Sequence, residues 1–193
     1  MILSFYDPIE YLSYTISKNA ESVLIADIFK NVKASFDKVA KNYNLVGYNI
    51  SGAPRPEALA YELYDNPQYY WVLLMANNVY DPFHGWIKTQ QACYDYADQK
   101  YENAENTVLY HIDETRTKRY NLEEYPENSG NWYDKGDLAR KYLQHKGALA
   151  AISAYEHEIL ENEKKRNIRI IPPGQMNQFM QDLIQELGNA SRS

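Results

Sequence analysis

Cysteine, long apolar runs, surplus positive charge and the motifs of catalysis are all scarce in this chain of 193 residues. Cys93 is its single cysteine, which excludes an intrachain disulfide and any Cys-rich zinc site. That thiol falls among aromatic residues on the apolar side of a predicted helix, the setting of a buried, inert group. No stretch approaches the roughly 18–20 apolar residues of a membrane span. Residues 1–7 lack a basic region followed by an apolar run, so no signal peptide is read there and folding in a cytosol is expected. In that compartment the sequons Asn49-Ile50-Ser51 and Asn189-Ala190-Ser191 carry no meaning. A net charge of −6 and a pI near 5.3 argue against a general binder of nucleic acid or of an anionic membrane. Lys164-Lys165-Arg166 is a local basic run, but Glu161 and Glu163 precede it on the same predicted helix, which makes it a solvated face.

Residue types that do chemistry are present without the arrangements that chemistry needs. There is no Gly-rich phosphate loop, no nucleophile elbow and no His-Glu-x-x-His. In His157-Glu158-Ile159-Leu160-Glu161 the first and last residues share a helix face, but two ligands without a third make only part of a metal site. A metal-assisted hydrolase built on His157 is therefore weaker than a solvated helix surface. Asp134-Lys135-Gly136-Asp137 places two carboxylates around a glycine, without the alternating oxygen ligands of a calcium loop, and reads as a structural turn. His84, His111 and His145 have no Cys or Ser nearby in sequence to activate. No catalytic residue, metal or cofactor is expected.

What the chain does have is tyrosine: 19 residues, against 5 Phe and 3 Trp. Tyrosine gives large amphipathic area at low entropic cost and is enriched where protein surfaces meet. The plainer reading is a Tyr-rich periphery to the core, and composition leaves both open. Hydrophobic residues make up 45% of the chain, enough for a core.

The apolar spacing yields a mixed set of elements. Residues 1–20 read as an irregular arm in which Asp7 caps, Pro8 opens a turn of helix and Glu10 reaches back. Ile25, Ile28, Phe29, Val32, Phe36 and Val39 make a stripe of helical period over 24–41. Val46, Tyr48 and Ile50 alternate as in a half-buried strand. Two short helices follow, with Pro56 and Pro67 at first helical positions. Asn66 is a good N-cap for the second, whereas Arg55 is a poor one for the first. Helices this short are not stable alone and must pack on something. Asp81-Pro82 and His84-Gly85 mark a loop with Trp86 and Ile87 as apolar anchors. Thr89 caps a helix over 90–101, and 107–112 with 117–122 form a hairpin about Asp113-Glu114-Thr115-Arg116. Residues 126–137 are expected to be an ordered surface loop, while 148–155 fits strand or helix. A helix over 156–166 and a strand over 167–171 follow. The last helix carries Met176, Phe179, Met180, Leu183, Ile184 and Leu187 and is expected to stop at Gly188. Six such side chains left in water would forgo on the order of 9–18 kcal/mol of gross burial, so this helix must dock.

The stretch 53–78 resembles the helix–helix part of a LysM-type module, a small βααβ fold. In the form Pro54-Arg55-Pro56-Glu57, Leu59-Ala60, Tyr64, Asn66-Pro67, Tyr70-Trp71-Val72-Leu73-Leu74, Asn77 and Asp81-Pro82 it is similar to proteins of contractile phage tail baseplates. Phe5-Tyr6-Asp7-Pro8-Ile9-Glu10-Tyr11, Asp27-Ile28-Phe29, Gly85-Trp86-Ile87, Trp132-Tyr133-Asp134-Lys135-Gly136-Asp137, Ala139-Arg140-Lys141-Tyr142, Gly147-Ala148-Leu149-Ala150-Ala151 and Leu160-Glu161-Asn162-Glu163-Lys164 extend the likeness. With Ile170-Ile171, Phe179-Met180 and Asp182-Leu183-Ile184 it covers almost the whole chain. The family it resembles is that of T-even-type baseplate wedge subunits that join neighbouring wedges.

The fold this implies is α+β. A split LysM-like core spans 45–80 and is closed by a strand in 166–173, where Arg169-Ile170-Ile171 returns to pair with 46–50. An N-terminal arm and helix occupy 1–44, an insertion with helix, hairpin and loop 81–165, and a C-terminal helix and tail 174–193. Leu59, Leu63, Trp71, Leu74 and Ile170 are the expected core of the motif. The resemblance implies a non-enzymatic virion protein whose partners are neighbouring wedges and other wedge and hub proteins, in a ring of six copies or a multiple. No nucleic acid, membrane or cofactor is implied. Phe5, Tyr6, Tyr11, Tyr61, Tyr69, Tyr80, Trp86, Trp132 and Tyr133 are the candidate contact residues. The alternative implied by the LysM likeness is binding of peptidoglycan-type glycan. Against it, the Gly-Asp-Thr opening of glycan-binding modules is replaced here by Ala53-Pro54-Arg55-Pro56-Glu57.

Overall fold

The computed structural model describes residues 8–11, 23–26 and 32–190, the first two segments as backbone. The chain is mixed α and β and divides into two compact units, one of residues 1–86 with 166–193 and one of 87–165.

In the first unit, β1 (Pro8–Tyr11) pairs antiparallel with β2 (Val23–Ala26), Pro8 opposite Ala26 and Tyr11 opposite Val23. Both segments correct the sequence reading, which put a helical turn at Pro8 and started a helix at residue 24. Val23-Leu24-Ile25-Ala26 is rich in the apolar and β-branched residues that a strand favours. Pro8 takes the first strand position, where a missing N–H is tolerated. The helical stripe survives in α1 (Val32–Ala40), which buries Val32, Phe36, Val39 and Ala40; Ile28 and Phe29 lie outside the described residues. After β3 (Val46–Asn49) comes α2 (Pro56–Tyr64), which starts at its proline with no side-chain cap from Arg55. Asp65 ends it in the left-handed region (φ 55°), its N–H returning 2.9 Å to Tyr61 O. The Asn66 side chain accepts the N–H of Gln68 at 2.9 Å and opens a 3-10 turn, Pro67–Tyr69, that leads into α3 (Tyr70–Ala76). Asp81 then caps the single turn α4 (Pro82–Gly85).

The second unit begins with α5 (Gln90–Lys100), whose Thr89 cap accepts from Ala92 N at 3.3 Å. It continues with β4 (Val108–Ile112), β5 (Lys118–Arg119), β6 (Leu122–Glu124), β7 (Asn131–Asp134), β8 (Leu143–Lys146), β9 (Ala150–Ser153) and α6 (Ala154–Glu163). The strands form two three-stranded antiparallel sheets, ordered β5-β4-β9 and β6-β7-β8. Asp113 shapes the β4–β5 turn by accepting from the N–H groups of Thr115 and Thr117, both at 3.0 Å. The expected single strand over 117–122 breaks at Asn121, which is left-handed at φ 57°, so Leu122 starts the other sheet. The expected surface loop over 126–137 contains β7, the middle strand of that sheet, because burying Trp132 needs strands on both sides. The ambiguous stretch 148–155 is strand from Ala150 to Ser153, whose capping box with Glu156 starts α6 at Ala154. Ala97, Ala104 and Ala154 make a small-residue core with Tyr101, Leu109 and Tyr155 against it. Asn162, nearly buried, donates to Lys88 O and accepts from Lys88 N, both at 2.9 Å.

The chain then returns to the first unit. β10 (Asn167–Ile170) pairs antiparallel with β3, Asn167 opposite Asn49 and Ile170 opposite Val46. Ile50 N adds a bond to Arg166 O at 2.9 Å. This is the long-range pairing expected from the sequence. The last helix, α7 (Met176–Ala190), runs through Gly188 rather than stopping there, since nothing near that residue requires a left-handed turn. It buries Met176, Phe179, Met180, Leu183 and Leu187 and leaves Ile184 half exposed. Five such side chains contribute on the order of 8–15 kcal/mol of gross burial. Phe179 stands edge-on to Phe36 at 5.2 Å and to Tyr43 at 5.3 Å. Tyr43 donates to Asp182 Oδ2 at 2.6 Å, and Lys38 reaches Glu186 at 2.6 Å.

Candidate functional site

Of the residues expected to form the core of the helix pair, Leu59, Trp71, Leu74 and Ile170 are buried and Leu63 is half-buried. The candidate contact residues fall into three groups. Phe5 and Tyr6 lie outside the described residues, as does the side chain of Tyr11. Trp86 and Trp132 lie inside, 3% and 8% exposed, because each indole N–H has found an internal carbonyl: Pro54 O at 2.9 Å and Gly147 O at 2.8 Å. Tyr133 is half-buried, and so is Tyr69, edge-on to Tyr64 at 6.2 Å. Tyr61 and Tyr80 remain in water, 60% and 77% exposed.

Phe83, which the sequence reading did not single out, is as open as Tyr80 at 78%. Its signal is its place directly after Asp81-Pro82, a loop position where an apolar side chain has no element to pack on. The short loop that carries both rings is fastened at many points. Asp81 Oδ1 accepts from Phe83 N at 2.8 Å and His84 N at 3.3 Å, and Oδ2 lies 2.6 Å from His84 Nδ1. The His84 bond, chiefly, and the backbone donors hold the Asp81 carboxyl below the usual carboxylate range, so it is charged at neutral pH. Gly85 N donates to Asp81 O at 2.7 Å, and Val79 N to Leu74 O at 2.9 Å. On the entering side Asn77 pairs with both backbone groups of Arg169, donating to its O at 2.8 Å and accepting from its N at 2.7 Å. On the leaving side stands the buried Trp86.

The second unit carries an open cleft of about 740 Å³ against β4, β9 and α6, floored by Tyr110, Ile112, Ile152, Ile159 and Leu160. Lys118 Nζ lies 4.6 Å above the Tyr110 ring and 3.7 Å from Glu161. The two members of the partial metal pair are engaged within the protein. His157 Nδ1 is 3.2 Å from Tyr110 OH, and Glu161 pairs with Lys164 at 2.5 Å. Asp134 accepts from Gly136 N at 2.7 Å and Asp137 from Tyr142 N at 2.8 Å, which is the hydrogen bonding of a turn. Burial pushes the Cys93 thiol up, away from thiolate character. Among the described residues no group of three or more His, Cys, Asp or Glu is placed to hold a metal. These arrangements offer contact surfaces rather than reacting groups.

Comparison with known proteins decides what kind. The family described as base plate wedge protein 53 matches residues 1–186. The chain belongs to the baseplate wedge protein 53 family. Within it, the baseplate wedge protein gp53 of Enterobacteria phage T4 is 51% identical over 185 residues, covering 95% of this chain and 94% of the T4 protein. A member of the wedge protein 53 family is a structural component of the phage virion, in the tail baseplate, and the family is not one of enzymes.

Proposed function

We propose that this chain connects adjacent baseplate wedges of a contractile-tailed phage, so that six wedges close into a ring around the hub. The observation that carries the reading is the end-to-end likeness to a baseplate wedge protein. Two features support it. Among the described residues, polar groups are engaged in turns, caps and internal pairs rather than in a reactive constellation. Exposed aromatics are present on both units, with Tyr61, Tyr80 and Phe83 on the first and Tyr120 and Tyr142 on the second. A head-to-tail ring needs two different surfaces on each connector. The partners are then neighbouring wedges and hub proteins, and the copy number is six or a multiple.

Purified wedge complexes, mixed with and without this chain and imaged, test the proposal. Six-fold rings are expected only when the chain is present, and rings that form equally well without it would refute the connector role. The β–α–α–β order of the first unit, β3-α2-α3-β10, supports the second reading, a LysM-type glycan-binding module. Retention on peptidoglycan with no affinity for wedges would favour that reading instead.

A further inference from the structure

The eight residues from Val79 to Trp86 combine two open aromatic rings with a tightly held backbone. Tyr80 and Phe83 are almost fully in water, which gives a large apolar area no intramolecular role. The backbone beneath them is nevertheless held from inside by the Asp81 carboxylate and from both ends by Asn77 and Trp86. Gly85 closes the base, where it lies so near Val79 that a β-carbon would stand 2.8 Å from Val79 Cγ1. Such fastening stabilises the turn in its own right, and it also holds both rings on a fixed backbone. A loop that inserts aromatic rings into a partner gains affinity, because the entropy of ordering it has been lost already on folding. Rigid aromatics of this kind are the usual centres of protein interfaces.

We propose that the Val79–Trp86 loop is the preformed anchor by which this chain docks on another baseplate subunit, and that the partner surface is an apolar pocket with a basic rim. The pocket takes the rings of Tyr80 and Phe83. The rim follows from Asp81, whose charged carboxylate stands between the two rings in sequence and is 55% exposed beside His84. A cation opposite it complements that charge at the edge of the contact. The inference rests on the connector reading and names the surface that reading leaves open.

The test uses the full-length chain and wedge complexes assembled without it. Tyr80→Ala/Phe83→Ala is expected to keep the wild-type melting temperature, since both rings are exposed, and to bind wedges at least about tenfold more weakly. Asp81→Asn retains backbone acceptor capacity but loses the charge, so it is expected to bind several-fold more weakly and with a shallower dependence on salt. Leu138→Ala, a control of comparable exposure (86%) on the second unit, is expected to bind as wild type. Binding of the double variant within about twofold of wild type overturns the anchor while leaving the connector role intact. So does an equal loss in the Leu138 control, which would mean general apolar stickiness. Wild-type chain that binds no wedge overturns the connector reading and the anchor with it. Self-association of the wild type that the double variant abolishes would make the partner a second copy and overturn the assignment to another subunit.

Discussion

Gly85 occupies a position where a side chain meets the stiff, branched Val79, whose χ1 cannot simply swing away. Gly85→Ala is therefore expected to destabilise the protein by about 1–2 kcal/mol, the cost of a small overpacking. Combining it with Val79→Ala should cost less than the sum of the two single changes, since the clash has lost one partner. Urea titrations of the four proteins check this, and simple additivity would place the strain elsewhere. Residue by residue, the sequence was informative about which side chains are apolar and much less about which are spent inside. Trp86 and Trp132 look like Tyr80 in a list of loop aromatics. What separates them is a carbonyl 32 residues back for Trp86 and 15 residues ahead for Trp132, and no local pattern encodes either.

At the scale of elements, the C-terminal helix is fastened to the region after α1 by a titratable contact. Burial, and then the hydrogen bond to Asp182, push the Tyr43 hydroxyl up to about 12. A phenol that holds its proton longer in the folded state than in the unfolded one stabilises below the unfolded value. That stability is lost as pH rises through the folded value. Folding free energy should thus fall between about pH 10 and pH 12. Tyr64, also raised by burial, adds to the wild-type slope, so the difference between wild type and Tyr43→Phe isolates one hydroxyl. The variant should show a shallower fall in that window by chemical denaturation, and parallel curves would deny the contact its role. The elements themselves were legible wherever one period dominated, as in α1, α5 and α7, and wherever a proline fixed the start, as in α2. Reading failed where two periods overlapped. Ile25, Ile28 and Phe29 continue the spacing of Val32 and Phe36, yet Val23–Ala26 pairs with β1, whose residues lie 12 to 18 positions back in sequence. Tyr120-Asn121-Leu122 looked continuous because a left-handed asparagine leaves no mark in a hydropathy pattern.

At the scale of the molecule, the first unit is made from both ends of the chain. Among the described residues β3 pairs with β10 alone, and Phe36 and Trp71 share their core with Phe179, Met180 and Leu183 of α7. A chain ending at Lys165 is expected to keep slow amide exchange in β4 and β7 while losing it in β3 and α3. Protection that persists at Val72 in that truncated chain would show that the first unit stands without its closing pieces. The second unit, by contrast, is one uninterrupted run of sequence, and its contacts are correspondingly more local.

That division reverses the usual order of events during synthesis, in which the N-terminal part of a chain folds first. As the chain emerges from the ribosome, residues 32–86 appear early but have nothing to close on. The stretch 87–165 can complete itself while translation continues. The first unit waits for residues 167–187, so a chain that terminates before them leaves the apolar faces of α1 and α3 without the α7 side chains that cover them. Only a chain made past Arg169 can present a fully braced Val79–Trp86 loop, because the Asn77 clamp needs the backbone of that residue.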